Sequence, residues 1–422
     1  MSLSSPYDSK QSSTRDIRKA NRLQVLHQLL VLQTSTRQEL SRLTGLSIAT
    51  VANLISAMLE EGLVIEVGTD YPKTGRPIGI LSINAAAGYC IGVDLAETYI
   101  HLELFDLTLK SLVIHKIELP SIQKEPEEIA QQIVTGVSSV ILQAGIEREK
   151  VIGIGISVPG PFDHASGVSI FGFSWGWVNV PLKKILEKQL SIPLYLDNPL
   201  KFNTIAEAWF GPANGAEIMA SVVMGTGVGA GFVINGQLFH GASNTAGEWG
   251  HSIIIYGGRQ CRCGNRGCVE AYIGAPGILQ TLAEIDPDSP LLFPDDQERS
   301  IEAIAKAAGQ GDRTAMAVVQ KTTEYLSAGL ASLINTLNPG VVILGSWVAE
   351  HLGELMLPEL KRLVEQQSLA QPFKAVHFLL SDMSRNPVSL GAATLVLEDF
   401  FSGANQYKQL PPKTAKPQTI TG

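Results

Sequence analysis

The sequence predicts an α/β protein in which a small helical head with a β-hairpin precedes a larger body of two lobes. Two observations indicate this architecture. Apolar residues recur at helical spacing up to about position 60, and after residues 85–88 the pattern changes to apolar strands alternating with helices. The chain has 422 residues, of which 45% are hydrophobic and 17% charged, as in a well-packed globular protein. It contains no run of 18 apolar residues, so no membrane span is expected.

The head is predicted to begin with a helix from Ser13 to Gln33. Residues 1–13 are polar and lack an apolar signal region, so we expect a flexible N-terminus on a cytoplasmic protein. A second helix follows, capped by Ser35 or Thr36, and Gly45 then permits a tight turn. Two helices joined in this way are typical of a helix-turn-helix when a third capped helix comes next.

The third helix of the head carries an apolar stripe that is expected to be buried. The stripe consists of Ile48, Val51, Leu54, Ile55, Met58 and Leu59. Ser47 caps this helix, and Ala49, Thr50 and Asn53 lie on its exposed face near the start. That part of a recognition helix enters the major groove of DNA, so these four residues are candidate DNA contacts.

Residues 63–68 and 78–84 are short β-prone runs that predict a hairpin wing, which completes a winged helix-turn-helix over residues 14–84. The tip contains Lys73 and Arg76, and a basic tip suits a narrow minor groove of negative potential. The alternative is a helical dimerisation or packing module with a solvated hairpin. The chain carries 32 basic and 40 acidic residues, a net charge of −8, but the head has a small basic excess. This asymmetry favours DNA binding by the head alone.

The body is predicted over residues 88–402. Two strands joined by a turn at Asp94–Thr98 lead to a helix over Glu125–Gln143 and the apolar strand VIGIGISVPG. A glycine- and tryptophan-rich loop, the strand IPLYLDN, a helix at Phe202–Phe210 and a glycine-turned hairpin follow. This order suggests an RNase H/actin-like duplicated fold with a cleft between two lobes. Residues 403–422 are polar and contain proline, which predicts a disordered tail.

Three of the four cysteines are concentrated in one segment beside a histidine. His251, Cys261, Cys263 and Cys268 are spaced H-x9-C-x-C-x4-C among glycines, which predicts a tetrahedral zinc site in a loop over residues 251–268. A disulfide would leave one of the clustered cysteines unpaired, and a reduced cysteine loop is the other alternative. Four protein ligands leave no position for an activated water, so the zinc is expected to be structural.

The segments MGTGVGAGFVINGQLFHGASNTAGEWGH and CRCGNRGCVE together resemble the ROK family, which groups bacterial sugar kinases with sugar-responsive repressors. The resemblance extends over about residues 14–400, and the head is similar to that of the xylose, glucose and N-acetylglucosamine regulators. It implies that Asn198, Glu248, His251 and Glu270 bind a sugar. The chemistry is consistent, because carboxylates accept hydrogen bonds from hydroxyls and a metal-bound imidazole keeps its second nitrogen as a donor.

The groups that a sugar kinase needs are missing at two positions. The resemblance places the catalytic base directly after Asn198, where this chain has Pro199, which provides neither acid nor base. The first phosphate loop of the family has two glycines, whereas this chain has Ala96 and Glu97, and the carboxylate would repel phosphate. The glycine-rich turn at Gly225–Gly229 is retained, and we interpret it as structural. Pro199 also removes a sugar contact that the resemblance implies, and Lys201 is a further departure. Together they predict a pocket for a modified or acidic sugar or a phosphosugar, or a pocket that binds weakly.

These features predict a DNA-binding transcriptional regulator, a repressor, that senses a small carbohydrate in a zinc-supported cleft and is not an enzyme. Its partners are expected to be a double-stranded DNA operator and a sugar effector, with a homodimer or homotetramer meeting two half-sites. One alternative is an active sugar kinase that retains a vestigial head. The other is a sugar-blind regulator controlled by a protein partner.

Overall fold

The computed structural model describes residues 14–71, 77–119, 125–172 and 175–403. The predicted flexible N-terminus and nearly all of the predicted disordered tail lie outside these residues. The same holds for Lys73 and Arg76 of the predicted wing tip.

The head contains three helices and one antiparallel hairpin in the predicted order. The elements are α1 (Thr14–Leu32), α2 (Arg37–Thr44), α3 (Ile48–Glu60), β1 (Val64–Asp70) and β2 (Ile78–Ile83). The Thr36 hydroxyl accepts a hydrogen bond from the Glu39 N–H at the start of α2, and Gly45 ends that helix with φ of +69°. The Ser47 hydroxyl caps α3 by accepting from the Thr50 N–H. Both caps satisfy amides that the first helical turn leaves without a partner.

Two members of the predicted apolar stripe are not buried, since Leu59 is only half-buried and Ile48 is exposed. Ile48 is 53% exposed, whereas Val51, Ile55 and Met58 are fully buried. Ile48 is the first residue of α3, and periodicity alone placed it wrongly in the buried stripe.

Within the described residues, the body runs from Tyr89 to Ser402 and has 13 further strands and ten further α-helices. Its strands are β3 (Tyr89–Leu95), β4 (Tyr99–Asp106), β5 (Ser111–Glu118), β6 (Val151–Ser157), β7 (Phe162–Asp163), β8 (Val168–Gly172), β9 (Trp177–Val180), β10 (Leu194–Asp197), β11 (Ile218–Met224), β12 (Val228–Ile234), β13 (Gln237–Leu238), β14 (Val341–Gly345) and β15 (His377–Leu380). Strand β13 is a two-residue extension of the hairpin β11–β12. Its helices are α4 (Pro126–Ala144), α5 (Leu182–Glu187), α6 (Pro199–Phe210), α7 (Glu270–Ile273), α8 (Ala275–Ile285), α9 (Gln297–Gly309), α10 (Arg313–Leu337), α11 (Trp347–Gln367), α12 (Ala370–Ala375) and α13 (Pro387–Ser402).

The two lobes are built on sheets of the same topology. The first sheet has the order β10-β6-β3-β4-β5, and the second has the order β15-β14-β11-β12-β13. In each, three consecutive antiparallel strands are followed by two strands that add in parallel on the side of the first. This repetition confirms the predicted α/β fold class, a winged helix-turn-helix followed by a duplicated, two-lobed RNase H/actin-like body.

Three parts of the body differ from the sequence-based expectation. Strand β5 is an edge strand that was not predicted. The glycine- and tryptophan-rich segment contains β8 and β9, which form a small antiparallel sheet with β7. Helix α6 begins at Pro199 rather than at Phe202, because Asn198 caps it and proline is well suited to the first helical position.

The head and the first lobe share one hydrophobic core. Its fully buried members include Leu26 and Leu29 of α1, Ile55 of α3, and Leu397 and Phe401 of α13. Helices α6 and α13 cross closely at Gly391, where a Cβ atom would collide with the Phe202 carbonyl. The head is therefore packed against this helix pair and is not attached by a linker alone. No helix among the described residues is both long enough and apolar enough to cross a bilayer.

Candidate functional site

The structure brings the four predicted metal ligands together. The ligand atoms of His251, Cys261, Cys263 and Cys268 all lie within 4.8 Å of one another. The Cys261 sulfur is 3.6 Å from His251 Nδ1, and the sulfurs of Cys263 and Cys268 are 3.7 Å apart. Tetrahedral coordination with metal–sulfur bonds of about 2.3 Å places sulfur ligands about 3.8 Å apart. The group therefore has the composition and the spacing to hold a tetrahedral metal ion.

Local packing holds the ligand loop in shape. Ile253 and Cys268 form an antiparallel bridge across it, and so do Gln260 and Arg266. The loop is attached to the body by Arg259, which donates to Thr281 at 3.0 Å and to Glu284 at 2.5 Å on α8. Burial raises the pKa of the Cys261 and Cys268 thiols, so their thiolates depend on a neighbouring cation.

Glu248 lies beside the metal group on the same short 3-10 helix as His251. Its Oε2 is 3.8 Å from His251 Nε2, while the other ring nitrogen faces the cysteines. The imidazole thus has one nitrogen for the metal and one directed towards Glu248. Burial raises the pKa of the Glu248 carboxyl. The charge of Glu270 raises this pKa further, whereas His251 lowers it.

Glu270 begins α7, directly after the last ligand and Val269, and its carboxylate is buried. It accepts a hydrogen bond of 3.0 Å from the Val228 N–H, in the glycine-rich turn between β11 and β12. It also forms a two-pronged ion pair with Arg262, at 2.9 and 3.2 Å. Glu270 therefore fixes the glycine-rich turn to the metal loop.

Asn198 lies at the start of α6, but its amide is already used. Its Oδ1 accepts from the Leu200 N–H at 2.8 Å, and its Nδ2 donates to the Gly160 carbonyl at 2.9 Å. Pro199 occupies the first position of the helix. Of the four predicted sugar ligands, the structure places Glu248, His251 and Glu270 around the metal group. The Asn198 side chain instead contacts backbone groups.

Lys201, also on α6, forms a buried ion pair with Asp197 at the end of β10. Its ammonium lies 2.9 Å from Asp197 Oδ1 and donates to the Asn244 carbonyl at 2.7 Å. Lys201 and Asp197 are 4% and 3% exposed, so the charges neutralise each other away from water. Burial lowers the pKa of Lys201, and Asp197 opposes that shift. The reason for expecting an acidic sugar is thereby lost, because the cation already has a carboxylate.

A cleft of about 910 Å³ lies between loops of the two lobes. Its walls include Asp163 and His164 after β7 on one side, and His240 and Asn244 after β13 on the other. Asn244 joins them, because its amide donates to Asp197 at 3.2 Å. These residues were not predicted as site residues. They lie about 80 positions apart in irregular loops, so no local pattern indicates that they meet.

The predicted DNA contacts on the head are accessible for the most part. Ser47, Ala49 and Asn53 are exposed at the start of α3, and Thr50 is half-buried because its hydroxyl lies 2.9 Å from that of Ser47. The two predicted wing residues are outside the described part of the chain.

Comparisons with known proteins identify the relatives of this chain. The ROK family profile matches residues 90–399. The xylose repressor of Caldicellulosiruptor bescii is 30% identical over 390 residues, which cover 92% of this chain and 97% of the repressor. A glucokinase of Halalkalibacterium halodurans is also 30% identical, over 72% of this chain and 94% of the kinase. Among solved structures, a ROK family transcriptional regulator, a homolog of the E. coli MLC protein, has a TM-score of 0.76 at 24% identity, covering 92% of this chain and 97% of that one.

Proposed function

The chain belongs to the ROK family, and on that premise we propose that it is a DNA-binding transcriptional repressor of carbohydrate genes that responds to a sugar. The observation that supports this most directly is the combination, in one chain, of a helix-turn-helix head packed on the body and a cleft between the lobes that His164, His240 and Asn244 line. The repressor relatives match the chain over its head as well as its body, whereas the glucokinase covers 72% of it.

The proposed sugar ligands are Glu248, His251 and Glu270, with Asn198 at the start of α6. Glu248 Oε2 lies 3.8 Å from His251 Nε2, and Glu270 Oε1 lies 3.5 Å from the Cys261 sulfur. Two carboxylates and one imidazole nitrogen form a set that suits vicinal hydroxyls. Asn198 would bind the sugar only through the Oδ1 lone pair and the Nδ2 proton that are not used by the Leu200 N–H and the Gly160 carbonyl. Because Lys201 is neutralised by Asp197, we favour an uncharged sugar.

We expect no phosphotransfer. The residue that follows Asn198 is Pro199, whose side chain carries no titratable group, so the proton acceptor of a sugar kinase is missing there. A purified preparation incubated with Mg-ATP and D-glucose or D-xylose should form no sugar phosphate. Phosphorylated sugar that persists when Glu248 is intact and disappears in Glu248→Gln would instead establish the kinase alternative.

The metal is proposed to be a structural Zn²⁺ held by His251, Cys261, Cys263 and Cys268. Thiolate and imidazole ligands in tetrahedral arrangement are the ligand set that zinc prefers, and four of them leave no coordination position open. When bound, the ion would stabilise the thiolates and fix the orientation of the His251 ring. It would thereby hold the neighbouring Glu248 in place.

Two helices connect the cleft to the head. Helix α6 has Lys201 in its first turn, where the ammonium contacts Asn244 of the cleft wall. In its last turn the Trp209 ring packs edge-on against His27 of α1, with centroids 4.4 Å apart. Near the end of helix α13, the carbonyl of Phe401 accepts from Arg22 of α1 at 2.9 Å.

The same arginine reaches the recognition helix. Arg22 also forms a two-pronged ion pair with Glu61, the residue that ends α3, at 2.8 and 2.6 Å. A movement of α6 and α13 on sugar binding would thus be transmitted to α3 through packed contacts. In a dimer on two half-sites, such a movement changes how well both recognition helices fit the operator.

The decisive experiment selects genomic DNA fragments with the full-length protein and then titrates the complex with D-xylose, D-glucose and N-acetyl-D-glucosamine. We expect specific binding that one of these sugars weakens by about 100-fold, equivalent to about 2.7 kcal/mol of coupling. Asn53→Ala should reduce operator binding and keep the sugar-induced rise in melting temperature. Glu248→Gln should keep operator binding and lose the sugar-induced rise in melting temperature. Absence of sequence-specific DNA binding would refute the proposal.

The remaining alternative is a regulator that does not bind sugar and responds to a protein partner. It predicts specific DNA binding with the same melting temperature in the presence and absence of every sugar in a broad panel, because a specific ligand stabilises the folded state by mass action.

A further inference from the structure

Arg262 connects the two lobes through a pair of carboxylates. It lies in the metal loop of the second lobe, between Cys261 and Cys263, and its two-pronged pair with Glu270 is internal to that lobe. Its Nη1 is also 3.7 Å from Oε1 of Glu97, which lies in the turn between β3 and β4 of the first lobe. One guanidinium therefore contacts an acidic group in each lobe.

We infer that Glu97, Arg262 and Glu270 form an interlobe latch that holds the two lobes together. Arginine is suited to this position, because its planar fork can engage one carboxylate with two donors and still direct a third donor elsewhere. The unequal geometry indicates where the latch opens. The Glu270 end has two short contacts to a buried carboxylate, whereas the Glu97 end has one longer contact between side chains that are 37% and 39% exposed.

Both ends of the latch are fixed by neighbouring backbone. Glu270 accepts from the Val228 N–H, so the latch is tied to the glycine-rich turn. The Glu97 carbonyl accepts a hydrogen bond from the Trp175 indole at 3.4 Å, so the opposite turn is tied to the small sheet of β7–β9. Movement of either lobe must therefore stretch the contact between Glu97 and Arg262.

The latch also occupies space above the glycine-rich turn. A Cβ atom on Gly227 would collide with the Arg262 guanidinium, so the absence of a side chain there admits the arginine. Glu97 was expected from the sequence to repel phosphate. In the structure this carboxylate also attracts Arg262 into the region between the turns at Asp94–Thr98 and Gly225–Gly229.

The size of the effect is modest. A partly exposed ion pair of this kind changes the equilibrium between closed and open lobes by about 2- to 5-fold, and by less at high ionic strength. If the proposed sugar response is correct, removal of the latch would lower the apparent affinity for sugar by the same factor, because less of the protein would be in the closed state. This consequence rests on the proposed function, but the latch itself does not.

The test compares Glu97→Gln with Glu118→Gln in full-length protein that contains neither sugar nor DNA. Glu118 is a suitable control, because it lies in the first lobe and its partner, Lys116 at 2.9 Å, is on the same strand. Hydrogen exchange is measured at Asp94–Thr98 and Gly225–Gly229, in 50 mM and 500 mM NaCl. In the native protein and in Glu118→Gln, exchange at both turns should rise about 2- to 5-fold with salt.

Glu97→Gln should show the higher exchange at both turns already in low salt, with little further increase. Unchanged exchange in Glu97→Gln, or a change confined to its own turn, would overturn the latch. Arg262→Gln provides a second variant, in which both turns should exchange faster while the zinc content stays that of the native protein. If that variant loses zinc, the comparison of Glu97→Gln with Glu118→Gln decides alone. Because no DNA or sugar is present, failure here is distinct from failure of the proposed function.

Discussion

The shared core makes a quantitative prediction for Phe401→Ala. Phe401 is the penultimate residue of α13 and is fully buried in the cluster that contains Leu26 and Leu29 of the head. Truncation of a buried phenylalanine to alanine costs about 3–5 kcal/mol through lost transfer energy and the cavity that remains. Since this cavity would border α1, we expect the cost to reduce the stability of the head as well as that of α13.

The effect is large enough to measure by hydrogen exchange. A loss of about 3 kcal/mol in the free energy of opening increases the exchange rate of a protected amide at least about 100-fold. We expect this increase in α1 and α3, which lie hundreds of positions from the substitution in the sequence. Phe378→Ala is the matched control, because Phe378 is 6% exposed in the core of the second lobe. It should increase exchange in β15 and leave the local opening of α1 unchanged.

The opposite pattern would refute the reasoning. If Phe401→Ala increased exchange in α13 alone and left α1 and α3 protected, the head would be an independent domain. The packed route from cleft to head would then be lost, and another way of transmitting the signal would be required.

Three other predictions concern the metal, a buried carboxyl and the contact between head and body. Cys263→Ser should release zinc, measured as moles of metal per chain, and increase proteolysis within the 251–268 loop; full zinc content would contradict the ligand assignment. Glu207 is 1% exposed, burial raises its pKa, and its Oε2 has no hydrogen-bond partner among the described residues. Native protein should therefore lose stability relative to Glu207→Gln as the pH rises from about 4.5 through the raised pKa, and melting temperatures that stay parallel from pH 4.5 to 8 would argue against this shift. A double-mutant cycle on His27→Ala and Trp209→Ala should give a coupling free energy of about 0.5–1.5 kcal/mol in thermal unfolding, whereas additive effects would show that the ring contact contributes nothing of its own.

Local chemistry made part of this protein predictable. The caps at Thr36 and Ser47 act within three residues of themselves, so the helices that they start follow from the sequence. The four metal ligands lie within 18 positions, and glycine turns between them bring the ligands together, so their grouping could also be inferred. The resemblance to the ROK family supplied the remaining sugar-site residues, but it did not indicate how Asn198 or Lys201 would be paired.

Only the tertiary structure decided which charges meet. Glu97 and Arg262 are 165 positions apart, and Lys201 acquires its second acceptor, the carbonyl of Asn244, from a loop in the other half of the chain. Ion pairs of this kind depend on how two lobes close, and neither periodicity nor spacing carries that information. The same applies to the core shared by α1 and α13. The sequence shows that each helix has an apolar face that must be buried, but only the packing of the whole molecule decides that these two faces contact each other.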